Sequence, residues 1–204
     1  MQEKYRDLAD KVIASLNAVC VNRSPDNDDL WECAERLNCG YDWGATRGAF
    51  IFRQEKIVFK FPRFTSTRTD YCQIELENYN SAKEYGVERI LLPVYHMGTT
   101  NHGIPVYLQP MFSYSEGDTS HKVRSQNRER VKQIHRSFID KVRYNCYWAP
   151  PRPWTARAIQ IYGKSFMRKF EKWTVARRIN DLHSGNVGYL GRRPIIIDYA
   201  GFYE

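Results

Sequence analysis

Asn180-Asp181-Leu182-His183-Ser184-Gly185-Asn186-Val187-Gly188-Tyr189, then Gly191-Arg192-Arg193, then Ile195-Ile196-Ile197-Asp198-Tyr199-Ala200-Gly201-Phe202, is the most informative stretch of this 204-residue chain. An Asp is followed five residues later by an Asn, and twelve beyond that by a second Asp at the end of an apolar run. This pattern suits phosphoryl transfer. The first Asp can take a proton from an attacking hydroxyl, while the Asn and the second Asp can hold Mg²⁺ against a nucleotide's phosphates. Such chemistry depends on positioning and charge neutralisation, so oxygen ligands on two adjacent rigid turns are what it requires. The plainer alternative is a strand–turn–strand hairpin with acidic turn residues.

Working upstream, Gly40-Tyr41-Asp42-Trp43-Gly44-Ala45-Thr46-Arg47-Gly48 precedes two apolar, aromatic-rich runs, Ala49–Phe52 and Ile57–Pro62, around a polar Arg53-Gln54-Glu55-Lys56 turn. The two runs predict a hairpin. Glycines ahead of it would let backbone N–H groups approach phosphates closely. Lys60 is a charge inside a run otherwise suited to burial, so it needs a partner or a ligand. The helical pattern that begins at Gln73-Ile74-Glu75-Leu76-Glu77 offers one. Taken singly, the glycines also fit a loop and the lysine also fits a snorkelling side chain.

In this order the segments resemble the protein-kinase-like superfamily, nearest in the Asp181-Leu182-His183-Ser184-Gly185-Asn186 loop to small-molecule and atypical kinases. The resemblance runs over roughly residues 38–202. It implies an α+β, kinase-like two-lobed fold, with a small antiparallel sheet lobe and a reduced, mainly helical second lobe. The expected divisions are an N-terminal helical segment 1–38, a sheet lobe 39–111 and a truncated helical lobe 112–204. By the same resemblance Gly40 to Gly48, with Gly40 and Gly44 foremost, would cover ATP. Lys60 would bind its phosphates, held by Glu75 rather than Glu77, and Val106–Met111, with Gln109 and Met111, would bracket adenine. Asp181 would be the catalytic aspartate and Asn186 and Asp198 the Mg²⁺ ligands, with Asp198-Tyr199-Ala200-Gly201 the counterpart of Asp-Phe-Gly.

Three departures accompany it. Ile179 and Asn180 stand where kinases carry His-Arg or His-Gly. His183 replaces the usual lysine two residues after Asp181. The sequence given stops three residues after Gly201, so the activation segment and its peptide-docking surface are expected to be missing. A kinase-like chain this short resembles phage or mobile-element accessory proteins.

Composition sets the outer bounds. At 42% hydrophobic, the chain can form one domain or two small lobes with a real core. Residues 1–10 lack a signal-peptide pattern, and no run approaches the roughly 20 apolar residues of a membrane helix, so a cytoplasmic protein without a membrane partner is expected. The five cysteines form no Cys-x-x-Cys pair, which fits free thiols. A zinc site from Cys33, Cys39, His96 and His102 is a remote alternative, with spacings unlike familiar patterns.

The remaining periodicities predict a helix on Tyr5, Leu8, Val12, Leu16 and Val19, and a second on Leu30, Ala34 and Leu37. Further expectations are a helix over 70–85, strands at 90–95 and 104–109, a helix on Val131, Ile134, Phe138 and Val142, and one helix running from Ile159 to Trp173.

Charge is uneven. Residues 120–178 hold sixteen Lys/Arg against three Asp/Glu, in a chain whose total is +8. An acidic protein or nucleic-acid partner at residues 122–178 would explain that excess, and so would solvated faces of amphipathic helices. The leading expectation is an ATP/Mg²⁺-dependent phosphotransferase with an unidentified hydroxyl acceptor. The second is a catalytically degenerate kinase-fold binding protein that docks through its basic face; the third is a nucleic-acid-binding module.

Overall fold

A computed structural model describes residues 2–20, 25–44, 46–63, 69–112, 150–179, 181–182 and 184–200. The expected helix around Val131–Val142, and residues 122–149 of the basic segment 122–178, lie outside the described residues. The protein is α+β. The chain divides into a first unit, Met1–Glu77 with Pro93–Met111, and a second, Asn78–Leu92 with Phe112–Glu204. The 1–38 segment therefore groups with the strands that follow it.

The first unit is built on a five-stranded antiparallel sheet. Its strands are β1 (Gly40–Trp43), β2 (Arg47–Phe52), β3 (Ile57–Pro62), β4 (Tyr95–Thr99) and β5 (Pro105–Pro110), in the order β1-β2-β3-β5-β4. Strand side chains alternate between faces with period two. Phe50, Phe52, Ile57, Phe59, Phe61, Val106 and Leu108 accordingly form one buried face. Helices α1 (Arg6–Val19) and α2 (Asn27–Leu37) pack on it through Ala9, Val12, Leu16, Leu30, Cys33 and Ala34. Val12, Leu16 and Leu30 are fully buried, each contributing about 1.5–3 kcal/mol of burial.

Local chemistry sets the ends of α2. Asp26 accepts the backbone N–H of Asp29 at 3.0 Å, and the Asp29 carboxylate accepts the Asp26 N–H at 2.8 Å, a reciprocal N-terminal cap. Asn38 closes the helix in the left-handed conformation, φ 49°.

One expected loop and one expected strand differ. Gly40–Trp43, within the expected nucleotide-covering loop, is a strand paired with Gly48–Ile51. The strand expected at 90–95 follows a 3₁₀ turn, Glu88–Ile90, and β4 begins only at Tyr95.

Helix α3 (Tyr71–Tyr85) contributes its first half to the first unit and its second half to the second. Asp70 caps it, accepting the N–H groups of Cys72 at 2.9 Å and Gln73 at 3.0 Å. The second unit also holds α4 (Arg152–Tyr162), α5 (Lys164–Ala176) and a hairpin of β6 (Val187–Leu190) and β7 (Arg193–Ile196). The single helix expected from Ile159 to Trp173 is two helices. Gly163, at φ +85° and ψ 157°, leaves helical geometry there and starts a new helix. Leu92, Ile195 and Ile197 make a small core, with Phe112 and Leu190 against it. No helix of the described residues is long and apolar enough to cross a membrane.

Candidate functional site

The first unit's polar cluster lies on the sheet face opposite α1 and α2. Register places it: Lys60 pairs with Ala49 on one side and with Tyr107 on the other, and Val58 pairs with Gln109. Arg47, Lys60, Tyr107 and Gln109 thus share one face, since same-face positions recur every second residue. Glu75 projects into this face from the first half of α3 and is wholly buried.

Among the described residues, Arg47, Gln109 and Lys60 donate to its carboxylate. Arg47 Nη1 donates to Oε1 at 2.5 Å, Gln109 Nε2 to Oε2 at 3.3 Å, and Lys60 Nζ to Oε2 at 3.5 Å. A buried carboxylate is tolerated when it is hydrogen-bonded and paired with cations, and this one has both. Lys60 and Arg47 keep 19% and 18% of their side chains accessible. Glu77, the other expected partner of Lys60, is exposed and accepts from Gln73.

The same face carries a second, smaller network. The Tyr107 hydroxyl lies 3.0 Å from both Asp70 and Gln73, and burial, with the Asp70 charge beside it, pushes its pKa far up. The Cys72 thiol is likewise raised well above its ordinary value, first by burial and then by the charge of Glu75.

The remaining first-unit residues frame this cluster. Gly40 opens β1 opposite Ile51, and Gly44 sits in the turn to β2, its N–H donating to Arg47 O at 2.8 Å. An added Cβ would meet nothing closer than 3.7 Å at Gly40 and 3.9 Å at Gly44. Gly48 differs: a Cβ there would fall 2.4 Å from the Phe61 ring across the ladder, so packing alone requires glycine. Arg63 braces the turn, donating to Gly44 O at 2.7 Å with its guanidinium 3.9 Å from the Trp43 ring centroid.

Gln109 and Met111 each have one polar group engaged within the unit. The Gln109 side chain holds Glu75, and the Met111 N–H donates to Lys56 O at 2.7 Å. A cleft of about 450 Å³ lies beside the end of α2, bordered by Leu8, Leu37, Cys39, Gly40, Phe52 and Gln54. Of the residues expected to bind nucleotide, Gly40 alone borders it.

In the second unit the hairpin gathers the C-terminal motif. Val187 pairs with Ile196, and the Ile197 N–H donates to Asn186 O at 2.9 Å, so Asn186 and Asp198 flank the same open end. Asn186 is buried, and its Nδ2 donates to both the carbonyl and the Oδ2 of Asp181, each at 2.9 Å. That geometry turns the amide nitrogen toward Asp181. Asp198 accepts the Ala200 N–H at 3.4 Å. One carboxylate and one amide oxygen beside the hairpin mouth suit a hard divalent cation whose remaining ligands are water or phosphate oxygens.

Neighbouring side chains hold this stretch in place. Buried Tyr199 donates to Leu92 O at 2.6 Å, and its carbonyl accepts from Asn78 Nδ2 at 2.7 Å. Asn78 is buried too, and its Oδ1 accepts from Arg177 Nε at 2.8 Å. Trp154 Nε1 donates to Gly188 O at 3.1 Å, anchoring β6.

Sequence reasoning missed Arg47 as a partner of Glu75, and Asn78 and Arg177 as supports of Tyr199. The available signals were Arg47's even spacing from Ala49 along β2, and Asn78's place one helical turn after Glu75. Nor do Cys33, Cys39, His96 and His102 make a metal site: among the described residues no three His, Cys, Asp or Glu side chains gather in one. Cys33 donates to Ser15 O, and His96 Nε2 lies 3.3 Å from the Thr99 hydroxyl. No protein-family model, curated protein or solved structure matches the chain.

Proposed function

We propose that the protein is a kinase-like phosphotransferase that binds ATP with Mg²⁺ and passes the γ-phosphoryl group to a hydroxyl acceptor. In this reading the two units are the sheet-bearing and helical lobes of a kinase-like fold. Lys60 binds the nucleotide's phosphates and Glu75 fixes Lys60. Asn186 and Asp198 hold Mg²⁺, and Asp181 orients and deprotonates the acceptor. Gly40 and Gly44 approach the phosphates through their backbone, and Gln109 and Met111 lie beside the base. The magnesium ion would supply the charge neutralisation that phosphoryl transfer needs, with Asp181 supplying the base.

The observation that carries this reading is the Lys60–Glu75 contact. A lysine inside an apolar strand and a glutamate fifteen residues on, selected from sequence, meet in the fold at 3.5 Å. Incubation with γ-labelled ATP, Mg²⁺ and a cell lysate is the test. Label should pass to an acceptor with wild-type protein and fail to pass with Asp181→Ala. Mg-ATP should also stabilise the fold by about 2.7 kcal/mol at a hundredfold excess over Kd. No thermal shift with millimolar ATP, ADP or GTP, with either Mg²⁺ or Mn²⁺, would sink the reading.

A second reading, a degenerate kinase-like scaffold that docks an acidic protein or nucleic acid, is favoured by α5. Lys164, Arg168 and Lys172 recur every fourth residue along it and all three are exposed. A polyanion there would release counterions, so binding should fall steeply with salt. Reversing these three charges should weaken capture and leave stability nearly unchanged.

A further inference from the structure

Glu75 raises a question of charge that a lysine–glutamate pair alone does not answer. Its carboxylate is wholly buried, and among the described residues Arg47 and Lys60 reach it. The contacts are unequal. Arg47 meets Oε1 at 2.5 Å, whereas Lys60 stands 3.5 Å from Oε2, an oxygen it shares with the Gln109 amide. Charge-assisted hydrogen bonds of the guanidinium–carboxylate kind are strongest near 2.7–2.9 Å, and a 3.5 Å contact lies at the outer limit of hydrogen bonding. Among the described contacts Arg47 therefore makes the closest charge-assisted bond to the buried charge, and Gln109 shares the other oxygen with Lys60.

We propose that Arg47 is the principal counter-ion of Glu75, a positioning residue that frees the Lys60 ammonium to bind an anionic ligand. This rests on the reading of Lys60 as a phosphate ligand and adds to it what makes the lysine available. In a simple ion pair, drawing the lysine toward phosphate would strip a buried carboxylate of its partner, which is strongly unfavourable. Here the guanidinium stays with Glu75, so Lys60 can turn to the ligand without leaving that charge uncompensated. Arginine suits the task, because it cannot lose its proton and its planar fork is pre-organised for a carboxylate. The placement follows from the sheet: Arg47 and Ala49 share a face, and Ala49 pairs with Lys60, so both cations point at one carboxylate.

The test uses the full chain with four variants: Lys60→Met, Arg47→Met, Glu75→Gln and the double variant Arg47→Met/Glu75→Gln. Arg47→Met should lower the melting temperature by roughly 10 °C, and Lys60→Met by about 4 °C or less. Neutralising the carboxylate should reverse the loss, so the double variant melts above Arg47→Met. A space-filling role for Arg47 would give no such rescue. If Arg47→Met fails to fold while the double variant folds, the result is the same.

Equal losses from the two cation variants, or a double variant no more stable than Arg47→Met, would overturn the proposal. Titration with Mg-ATP keeps the two readings apart. Arg47→Met, by holding Lys60 on Glu75, should weaken binding by about tenfold, and Lys60→Met by at least that much. If wild-type protein binds no Mg-ATP, the nucleotide reading fails, and the melting comparison still decides whether Arg47 is the counter-ion.

Discussion

The two units hold their polar residues in opposite ways. In the first, Arg47, Lys60, Glu75 and Gln109 come from three strands and a helix, and a single wholly buried carboxylate holds them together. In the second, Asp181, Asn186 and Asp198 lie within eighteen residues, beside the mouth of one hairpin, with both aspartates partly accessible. A buried charge belongs to the fold, because removing a partner leaves desolvated charge behind. An aspartate that is only part-buried beside a hairpin carries less of the core, so its substitution should alter chemistry more than stability.

The largest expected effect tests the second half of that contrast. Asp181→Ala should cut phosphoryl transfer by about 10²–10⁴-fold, the usual contribution of a positioned general base, while Mg-ATP binding stays close to wild type and stability falls by about 0.5–1.5 kcal/mol with the lost Asn186 hydrogen bond. Transfer assays and melts on the same preparation check this. A variant that keeps full transfer would remove Asp181 from the chemistry.

In the first unit, Gly48→Ala and Gly44→Ala separate packing from ligand approach. Gly48→Ala sets a methyl against the fully buried Phe61 ring and should lose stability toward the upper part of the about 1–3 kcal/mol cost of overpacking. Gly44→Ala meets only the Arg47 carbonyl, at an ordinary 3.9 Å, so denaturant midpoints should barely move. If the Gly44 backbone approaches phosphate, Mg-ATP affinity should still fall. Matching stability losses from the two would show that both glycines serve packing alone.

Asn78→Ala addresses the supports in the second unit. It takes one hydrogen-bond partner from the Tyr199 carbonyl and one from Arg177, at a cost of roughly 1–2 kcal/mol. Because Tyr199 adjoins Asp198, the Mg²⁺ dependence of transfer should shift to higher concentration. An unchanged Mg²⁺ profile in a destabilised variant would leave Asn78 a purely structural residue.

The smallest effect is alkaline. Burial pushes the Cys39 thiol up to about 11 from 9.0, and the buried Cys72 thiol well above 9.0, with the Glu75 charge adding to it. A raised folded-state value means that the unfolded chain loses its proton first. The stabilisation is complete below pH about 9 and is lost as pH climbs through the folded values. In the second unit, burial pushes Tyr162 up to about 12 from 10.0, so its contribution declines only above pH about 10. Urea midpoints should therefore start to fall near pH 9, and Cys72→Ala should reduce that early slope. An early decline unaltered by Cys72→Ala would remove that thiol from the account.

Legibility followed the range of the interactions. The stripes on α1 and α2, the β2–β3 hairpin and α3 could be read from sequence because their signals lie within a few residues of one another. Asp181, Asn186 and Asp198 were legible for the same reason: one turn and one hairpin register place them. The break at Gly163 was not, since the apolar period continues through it, and only backbone geometry ends α4 there.

Sequence by itself also determined that Lys60 needed a partner, because a charge in an apolar run is costly to bury, and it offered Glu75 and Glu77, of which the kinase-like resemblance favoured Glu75. It did not determine how that charge is shared. Arg47 and Gln109 reach Glu75 only because strand order places β2 and β5 on either side of β3, and period-two alternation turns their side chains to one face. Strand order and register are set by long-range pairing, which no local pattern encodes. The lysine's need was a local property, and the arginine that answers most of it came from the tertiary fold.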